Sequence, residues 1–234
     1  MDTSYSLNIF SFMHTIKTRL RKHYLPFLFL ILLFGLFLHL IWPKRDSITI
    51  VTDITGYVSI IAIVISLLIG PVNLLLKRNN PVSNHLRRDT GIFGGILAVI
   101  HSITGLFVHL RGSNWKYFLN KTDHGYTIRL DNFGLANYLG LLSALLILLV
   151  LFSSNDYSLK KLGQVKWKNI QRLSYFVFLL AIIHSVYYRV ATNNHFLIYS
   201  LYIPLFVLVL LFQNMGIWIK WQDKKKIKKR SGIE

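Results

Sequence analysis

Two histidines lie deep inside apolar segments of the chain, where an imidazole could do chemistry. His101 stands ten residues after Gly91, at the start of one apolar run, and His184 stands eleven residues after Leu173, at the start of another. If both runs are helices entering from one side, a rise of about 1.5 Å per residue places both imidazoles roughly 15–16 Å deep, near the centre of a bilayer. Two imidazoles at one depth can bind a flat metal complex between them, and neutral imidazole is the usual nitrogen ligand of haem iron. The positions alone are equally consistent with haem ligation and with two structural histidines.

Small residues share a helix face with the first of these histidines. Gly94, Ala98, His101 and Gly105 follow an i, i+4, i+7, i+11 pattern, which is one face of a helix. Such a face leaves room for a macrocycle beside the imidazole. The alternative is that the stripe simply lets two helices pack closely.

Other ionisable residues in or beside the apolar runs extend the candidate site, because such residues are costly in a membrane and tend to be functional or paired. Arg111 and Arg189 could pair with haem propionates or attract an anionic acceptor; the alternative is a cation that extends from a helix end to the membrane surface. His109 is a further candidate metal ligand, and with His195 it could hold a second haem, although their depths match poorly. His39 is interpreted as an interfacial residue.

Six apolar runs can position these residues. Runs of about 18 residues or more are typical of membrane-spanning helices. The predicted spans are Tyr24–Trp42, Ile54–Leu76, Gly91–Leu110, Phe133–Phe152, Leu173–Val190 and Phe196–Ile219. We therefore predict an all-α polytopic membrane protein with a six-transmembrane-helix bundle at 24–219, between basic tails at 1–23 and 220–234. The spans take just over half of the 234 residues and leave no room for a soluble catalytic domain of usual size.

The charge of the chain supports this class and excludes others. The sequence has 27 Lys and Arg against 9 Asp and Glu, yet 53% of its residues are hydrophobic, and the mean hydropathy is +0.46. A soluble nucleic-acid-binding protein would be more polar, so we expect contact with membrane lipid and no nucleic-acid partner. Twenty basic residues fall in the tails and the second and fourth loops, against seven on the other side. This bias predicts that both termini are cytoplasmic.

Cysteine is absent from the sequence, which excludes disulfides, zinc–thiolate sites, iron–sulfur clusters and thiol nucleophiles. Metal or redox chemistry must therefore use the nine histidines or the carboxylates.

Two segments around the paired histidines form a recognisable pattern. The first is LRRDTGIF at 86–93, followed by His101; the second comprises KLG at 161–163, WKNIQRLSY at 167–175 and AIIH at 181–184. Together they resemble the ferric-reductase-like transmembrane family over roughly residues 50–220. The resemblance is closest to its MsrQ/YedZ branch, the haem-binding membrane subunit of a periplasmic methionine-sulfoxide reductase system.

The resemblance implies a haem b held by His101 and His184. Relatives often carry a further histidine thirteen positions before the second ligand, where this chain has Gln171. Relatives that hold two haems also use paired histidines on the third span, but thirteen and fourteen positions before His101 this chain has Arg88 and Arg87. We therefore expect one haem b, with two haems as the alternative.

The implied function is transmembrane electron transfer. Electrons would pass from a cytoplasmic flavin donor or membrane quinol to an outer-side acceptor or partner reductase. We expect no flavin or nicotinamide domain after the sixth span, so flavin or quinone would act through a partner or as a diffusible donor. We expect an electron-transfer (oxidoreductase) membrane subunit in the bacterial inner membrane, not a complete enzyme.

Two other functions stay open at this point. One is a small-solute or ion transporter with histidines as a proton relay, in which Gly70-Pro71 and Pro204 would mark broken helices. The other is a cofactor-free membrane scaffold or assembly factor.

Overall fold

The protein is a bundle of long helices, known here from a computed structural model that describes residues 17–41, 43–77, 81–111 and 113–230. Within this part of the chain there are six α-helices. They are α1 Leu25–Ile41, α2 Ser47–Leu75, α3 Pro81–Gly105, α4 Asn132–Ser153, α5 Asp156–Ala191 and α6 Ile203–Arg230. Most of the predicted N-terminal tail, Trp42 and the last four residues of the predicted C-terminal tail lie outside the described residues.

A small β-hairpin connects α3 to α4. A 3₁₀ turn at Asn114–Tyr117 leads into β1, Leu119–Thr122, which pairs antiparallel with β2, Gly125–Ile128. The sequence did not predict these strands, because alternating apolar residues are too few in this short loop to show a period of two. We call the end of the bundle that carries β1 and β2 the strand end, and the opposite end, where α6 finishes, the tail end.

Five helical segments are long and apolar enough to cross a membrane by length and composition, which makes the chain a multi-pass membrane protein. They are Lys17–Ile41, Ser47–Leu75, Asn132–Ser153, Asp156–Ala191 and Ile198–Lys226. The remaining helix, α3, is less apolar than these five. It ends at Gly105, earlier than predicted, and it carries charged residues near its start. The six-span count and the cytoplasmic termini therefore stay predictions.

The helices pack as two close antiparallel pairs with additions at the sides. α2 packs extensively on α3, and α4 packs extensively on α5, whereas the two pairs meet mainly where α3 approaches α4. α6 lies against α2, and α1 is peripheral. The main core joins α2, α5 and α6. It consists of Ile60, Ile63, Val64, Leu67, Phe178, Ile182, Tyr202 and Val209.

Capping and turn residues fix where these helices begin and bend. Asp46 and Asp131 are the N-caps of α2 and α4, and each side chain accepts a hydrogen bond from a backbone N–H of the first turn, as short acidic side chains do at helix starts. Within α5, Gly163 has a φ of 73° and turns the chain by a kink, a conformation that glycine adopts without steric cost. α2, by contrast, continues through Pro71 to Leu75.

A buried carboxylate ties the first helical segment to α3 at the tail end. Asp89 is fully buried and forms hydrogen bonds with Arg19, His23 and Tyr24. These three residues flank or lie in a π-helical turn at Leu20–Tyr24. A buried charge needs partners of this kind, so the pairing explains why an aspartate is tolerated near the start of α3.

Candidate functional site

The two histidines predicted to act together face each other between the helix pairs. His101 lies on α3 and His184 on α5, and their ring centroids are 6.3 Å apart with the ring planes inclined by 78°. The structure brings the two rings close together, as expected for residues at similar depth. His101 lies four residues before the end of α3 at Gly105.

Each imidazole is held by one backbone carbonyl of the neighbouring helix. Nδ1 of His101 lies 2.8 Å from the carbonyl oxygen of Thr52 on α2, and Nδ1 of His184 lies 2.7 Å from that of Ala136 on α4. A carbonyl only accepts hydrogen bonds, so each Nδ1 carries the proton and each Nε2 has a free lone pair. In the described part of the chain, neither Nε2 makes a hydrogen bond.

A glycine one turn after each carbonyl lets the ring lie against the backbone. A Cβ at Gly56 would be 2.7 Å from Nδ1 of His101, and a Cβ at Gly140 would be 2.8 Å from Nδ1 of His184. Any larger side chain would therefore displace the imidazole. These two glycines were missed from the sequence, although an isolated glycine in a helix is a recognised sign of close approach.

The arrangement fits two axial ligands of one metal ion. An imidazole nitrogen binds such an ion at about 2.0 Å, so two rings on opposite sides have centres roughly 6 Å apart. The observed 6.3 Å agrees with this spacing. Ligating histidines typically donate their other ring N–H to a carbonyl, which fixes the ring and raises its basicity. The donor set therefore suits haem iron, which takes two protein ligands.

The packing around the pair differs from one helix contact to the next. α3 and α5, which carry the two imidazoles, hardly touch each other through their backbones. A Cβ at Gly94 would meet Ala62 and Ile63 at 3.1–3.2 Å, so this part of the small-residue stripe serves close packing of α3 on α2. The alternative explanation of the stripe is therefore correct at Gly94, where α3 packs closely on α2.

Arg189 places an incompletely paired cation near the two rings. It lies five residues after His184 on α5, and its Nη2 donates to the hydroxyl of Tyr57 at 2.5 Å. Among the described residues, its Nε is buried without a partner, as is the hydroxyl of Thr52, the residue whose carbonyl binds the first imidazole. Since buried polar groups are almost always hydrogen-bonded, these two atoms have capacity for a polar partner beyond the described residues.

The other predicted site residues lie at the strand end, with different partners. Arg111 is exposed and pairs with Asp46 at 2.6 Å. Nε2 of His109 is 2.5 Å from the hydroxyl of Tyr188. His195 contributes a backbone carbonyl to the next helical turn. The structure thus brings neither Arg111 nor His195 to the imidazole pair, and it joins His109 to a tyrosine.

Ion pairs at this end lower the pKa of the two capping carboxylates. The hydrogen bond from Arg111 is the main cause for Asp46, and the hydrogen bond from Arg129 is the main cause for Asp131. Backbone N–H groups of the first helical turns add to both effects. The helices that supply the two carbonyls thus begin in the same way, with an ionised cap.

A second polar layer lies toward the tail end, at the positions thirteen residues before each histidine. Arg88 donates to the carbonyl of Ser154 at 3.0 Å and to Asp156 at 2.6 Å. Gln171 donates to the hydroxyl of Ser153 at 2.9 Å and accepts from that of Ser154 at 3.2 Å. Arg88 and Gln171 are therefore linked through one serine, and their polar atoms already have protein partners.

Among the residues that the structure describes, no group of three or more His, Cys, Asp or Glu is placed to hold a metal ion. A site built from three or four such side chains is therefore not formed within this part of the chain, and the facing imidazoles are its candidate metal centre.

Comparison with known proteins identifies the family. Residues 55–182 match the family described as ferric reductase like transmembrane component, which is more than half of the chain. The match includes Gly56, His101 and Gly140, and it ends two residues before His184. No curated protein and no solved structure matches the chain significantly. Membership suggests transmembrane electron transfer, and by this match the chain belongs to the ferric reductase-like transmembrane component family.

Proposed function

We propose that this protein is a haem b-binding membrane subunit that carries single electrons across the bilayer. The observation that carries the proposal is the pair of imidazoles at 6.3 Å, each with Nδ1 tied to a carbonyl and Nε2 free. Bound haem would supply a one-electron iron couple. His101 and His184 would be its axial ligands.

The surrounding residues have definable roles in this proposal. The hydrogen bonds from Nδ1 set the rotation of each ring before a ligand binds, which reduces the entropy cost of binding. Arg189, with a buried unpaired Nε, would pair with a propionate. Arg111 is the weaker candidate for that role because it already pairs with Asp46. If both imidazoles hold the iron, the bound group would supply electron transfer to a substrate that does not itself bind the metal.

One haem per chain is the stoichiometry we propose. At the tail-end layer Arg88 and Gln171 stand where relatives with two haems carry ligands, and their hydrogen bonds are satisfied by Ser153, Ser154 and Asp156. A guanidinium has no lone pair to offer a metal.

Electrons would come from a separate cytoplasmic flavoprotein or from membrane quinol and leave to an acceptor or partner reductase at the strand end. In this proposal the protein lies in a bacterial inner membrane with the strand end outside.

The transporter alternative loses part of its support. It drew on the membrane histidines as a proton relay and on helices broken at Gly70-Pro71 and Pro204. α2 runs unbroken through Pro71 to Leu75. Pro204, by contrast, directly follows a π-helical turn at Ile198–Tyr202 that continues into α6.

The test is an optical spectrum of detergent-purified protein, oxidised and dithionite-reduced, with a pyridine haemochrome assay. We expect a low-spin b-type spectrum and about one haem per chain. Two haems per chain would contradict the single site and direct attention to His109 and His195. Colourless protein from cells supplied with haem would refute the proposal, and solute flux in liposomes would then identify a transporter.

A further inference from the structure

The two halves of the candidate site are built by the same device. On α2, Thr52 supplies the carbonyl and Gly56 the close approach; on α4, Ala136 and Gly140 do the same. In both cases the glycine follows the carbonyl residue by four positions, which puts the two on one helix face. The histidine follows the carbonyl residue by 49 positions in one helix pair and by 48 in the other.

Each device restricts its imidazole in two ways. The carbonyl fixes the direction of the Nδ1–H bond. The backbone at the glycine lies against the ring, because a Cβ there would be within 2.7–2.8 Å of Nδ1. A ring held by a hydrogen bond at one atom and by backbone contact beside it cannot rotate freely about χ2, which is otherwise a broad torsion.

We propose that the Thr52 carbonyl with Gly56 and the Ala136 carbonyl with Gly140 are two matching cradles that hold the imidazoles nearly perpendicular at the haem. The inference rests on the proposed function, since it assigns positioning residues to the same site. The glycines touch neither iron nor macrocycle in this assignment; they act through His101 and His184. The 78° between the ring planes is the property they set.

The relative angle of two axial imidazoles has a spectroscopic consequence. Two iron d orbitals of similar energy can interact with the imidazoles. Parallel rings interact with the same one of these orbitals and separate it in energy from the other. Perpendicular rings act on both orbitals almost equally and leave them nearly degenerate. Near-degeneracy gives ferric low-spin haem a highly anisotropic electron paramagnetic resonance (EPR) signal with a large maximum g value, whereas parallel rings give a rhombic signal.

The experiment is EPR of the ferric full-length protein, with haem content measured on the same samples. The test variants are Gly56→Ala and Gly140→Ala. The matched control is Gly216→Ala, where Pro71 lies no closer than 3.4 Å to the added Cβ. All three changes add one methyl group, and the control site has ordinary contact distances.

We expect the unmodified protein to give the highly anisotropic signal. Gly56→Ala and Gly140→Ala should each shift the maximum g value or lower haem content at least ~10-fold, as loss of the group that orients a metal ligand does. Gly216→Ala should keep both properties.

Two results would overturn the inference while leaving the proposed function intact. One is a rhombic signal from haem-loaded unmodified protein, which needs no variant to fold. The other is an unchanged signal and haem content in both cradle variants. Haem-free unmodified protein would instead refute the proposed function, and the cradles with it.

Discussion

Two layers of the same helices have opposite chemistry. In the layer nearer the strand end, His101 and His184 face each other and each keeps one ring nitrogen without a protein partner in the described chain. In the layer thirteen residues toward the tail end, Arg88 and Gln171 are joined through Ser154 and make hydrogen bonds with their functional groups.

The difference shows how hydrogen bonding separates a ligand site from a structural network. A backbone carbonyl uses only the protonated nitrogen of an imidazole, so the second nitrogen stays available. The amide of Gln171 and the guanidinium of Arg88 bond to groups that hold the end of α4 to α3 and α5. The first layer is open to a metal, and the second is closed by the protein itself.

The largest expected effect is loss of haem from the histidine layer. His101→Ala and His184→Ala should each lower haem per chain at least ~10-fold, because each removes an axial ligand. His39→Ala, at an exposed position on α1, is the control and should bind haem normally. A pyridine haemochrome assay measures the result. Normal haem content in either ligand variant would show that the two layers do not differ as described.

A substitution in the tail-end layer should lower the stability of the protein without changing its haem content. Gln171→Ala removes the donor to Ser153 and the acceptor from Ser154, and we expect it to lower the free energy of unfolding by about 1–2 kcal/mol. Gln164→Ala, at an exposed position of the same helix, should have little effect. Denaturation in detergent with haem quantified beforehand separates the two properties. Haem loss in Gln171→Ala with unchanged stability would reverse the roles of the layers.

A smaller effect distinguishes the two arginines at the strand end. Arg189→Gln removes a cation near the proposed haem, which should lower its midpoint potential by on the order of 50 mV, since about 59 mV is a tenfold change for one electron. Arg111→Gln should shift the potential less, because Arg111 is exposed and paired with Asp46. Redox titration followed by absorbance measures both. A larger shift in Arg111→Gln would transfer the propionate role to Arg111.

The smallest effect concerns the caps of the two helices that supply the carbonyls. The pKa values of Asp46 and Asp131 are lowered in the folded protein. Their contribution to stability is therefore fully present above the ordinary pKa of about 4 and is lost as the pH falls through the lowered values. We expect the unfolding temperature to fall on acidification from about pH 5 to about pH 3.

Asp131→Asn provides the control for this pH dependence. Asparagine also caps helices but does not titrate, so the variant should lose less stability on acidification than the unmodified protein. Equal acid sensitivity of the two proteins would show that this cap does not contribute to the pH dependence.

Much of the fold and the centre of the site could be predicted from the sequence. Long apolar runs can hide their backbone polar groups only as helices in lipid, so the six helices follow from composition. The pairing of His101 with His184 follows from the regular helical rise, which converts position in the chain into depth. Span ends were predicted less well, because polar residues such as Arg88 continue a helix beyond the apolar part that marks it.

What surrounds the two rings depended on helices far away in the chain. Gly56 and Thr52 lie in a different helix from His101, and Gly140 and Ala136 in a different helix from His184. Their backbones meet the imidazoles only once the pairs α2/α3 and α4/α5 have packed, and no local pattern records a contact across more than 40 residues. The unpaired Nε of Arg189 is likewise a result of burial among neighbours.

The sequence alone thus determined the membrane class, the helices and the ligand pair, because these depend on composition and on helical periodicity. Only the tertiary structure decided how the rings are oriented and which layer is closed, because hydrogen bonds between helices depend on their packing.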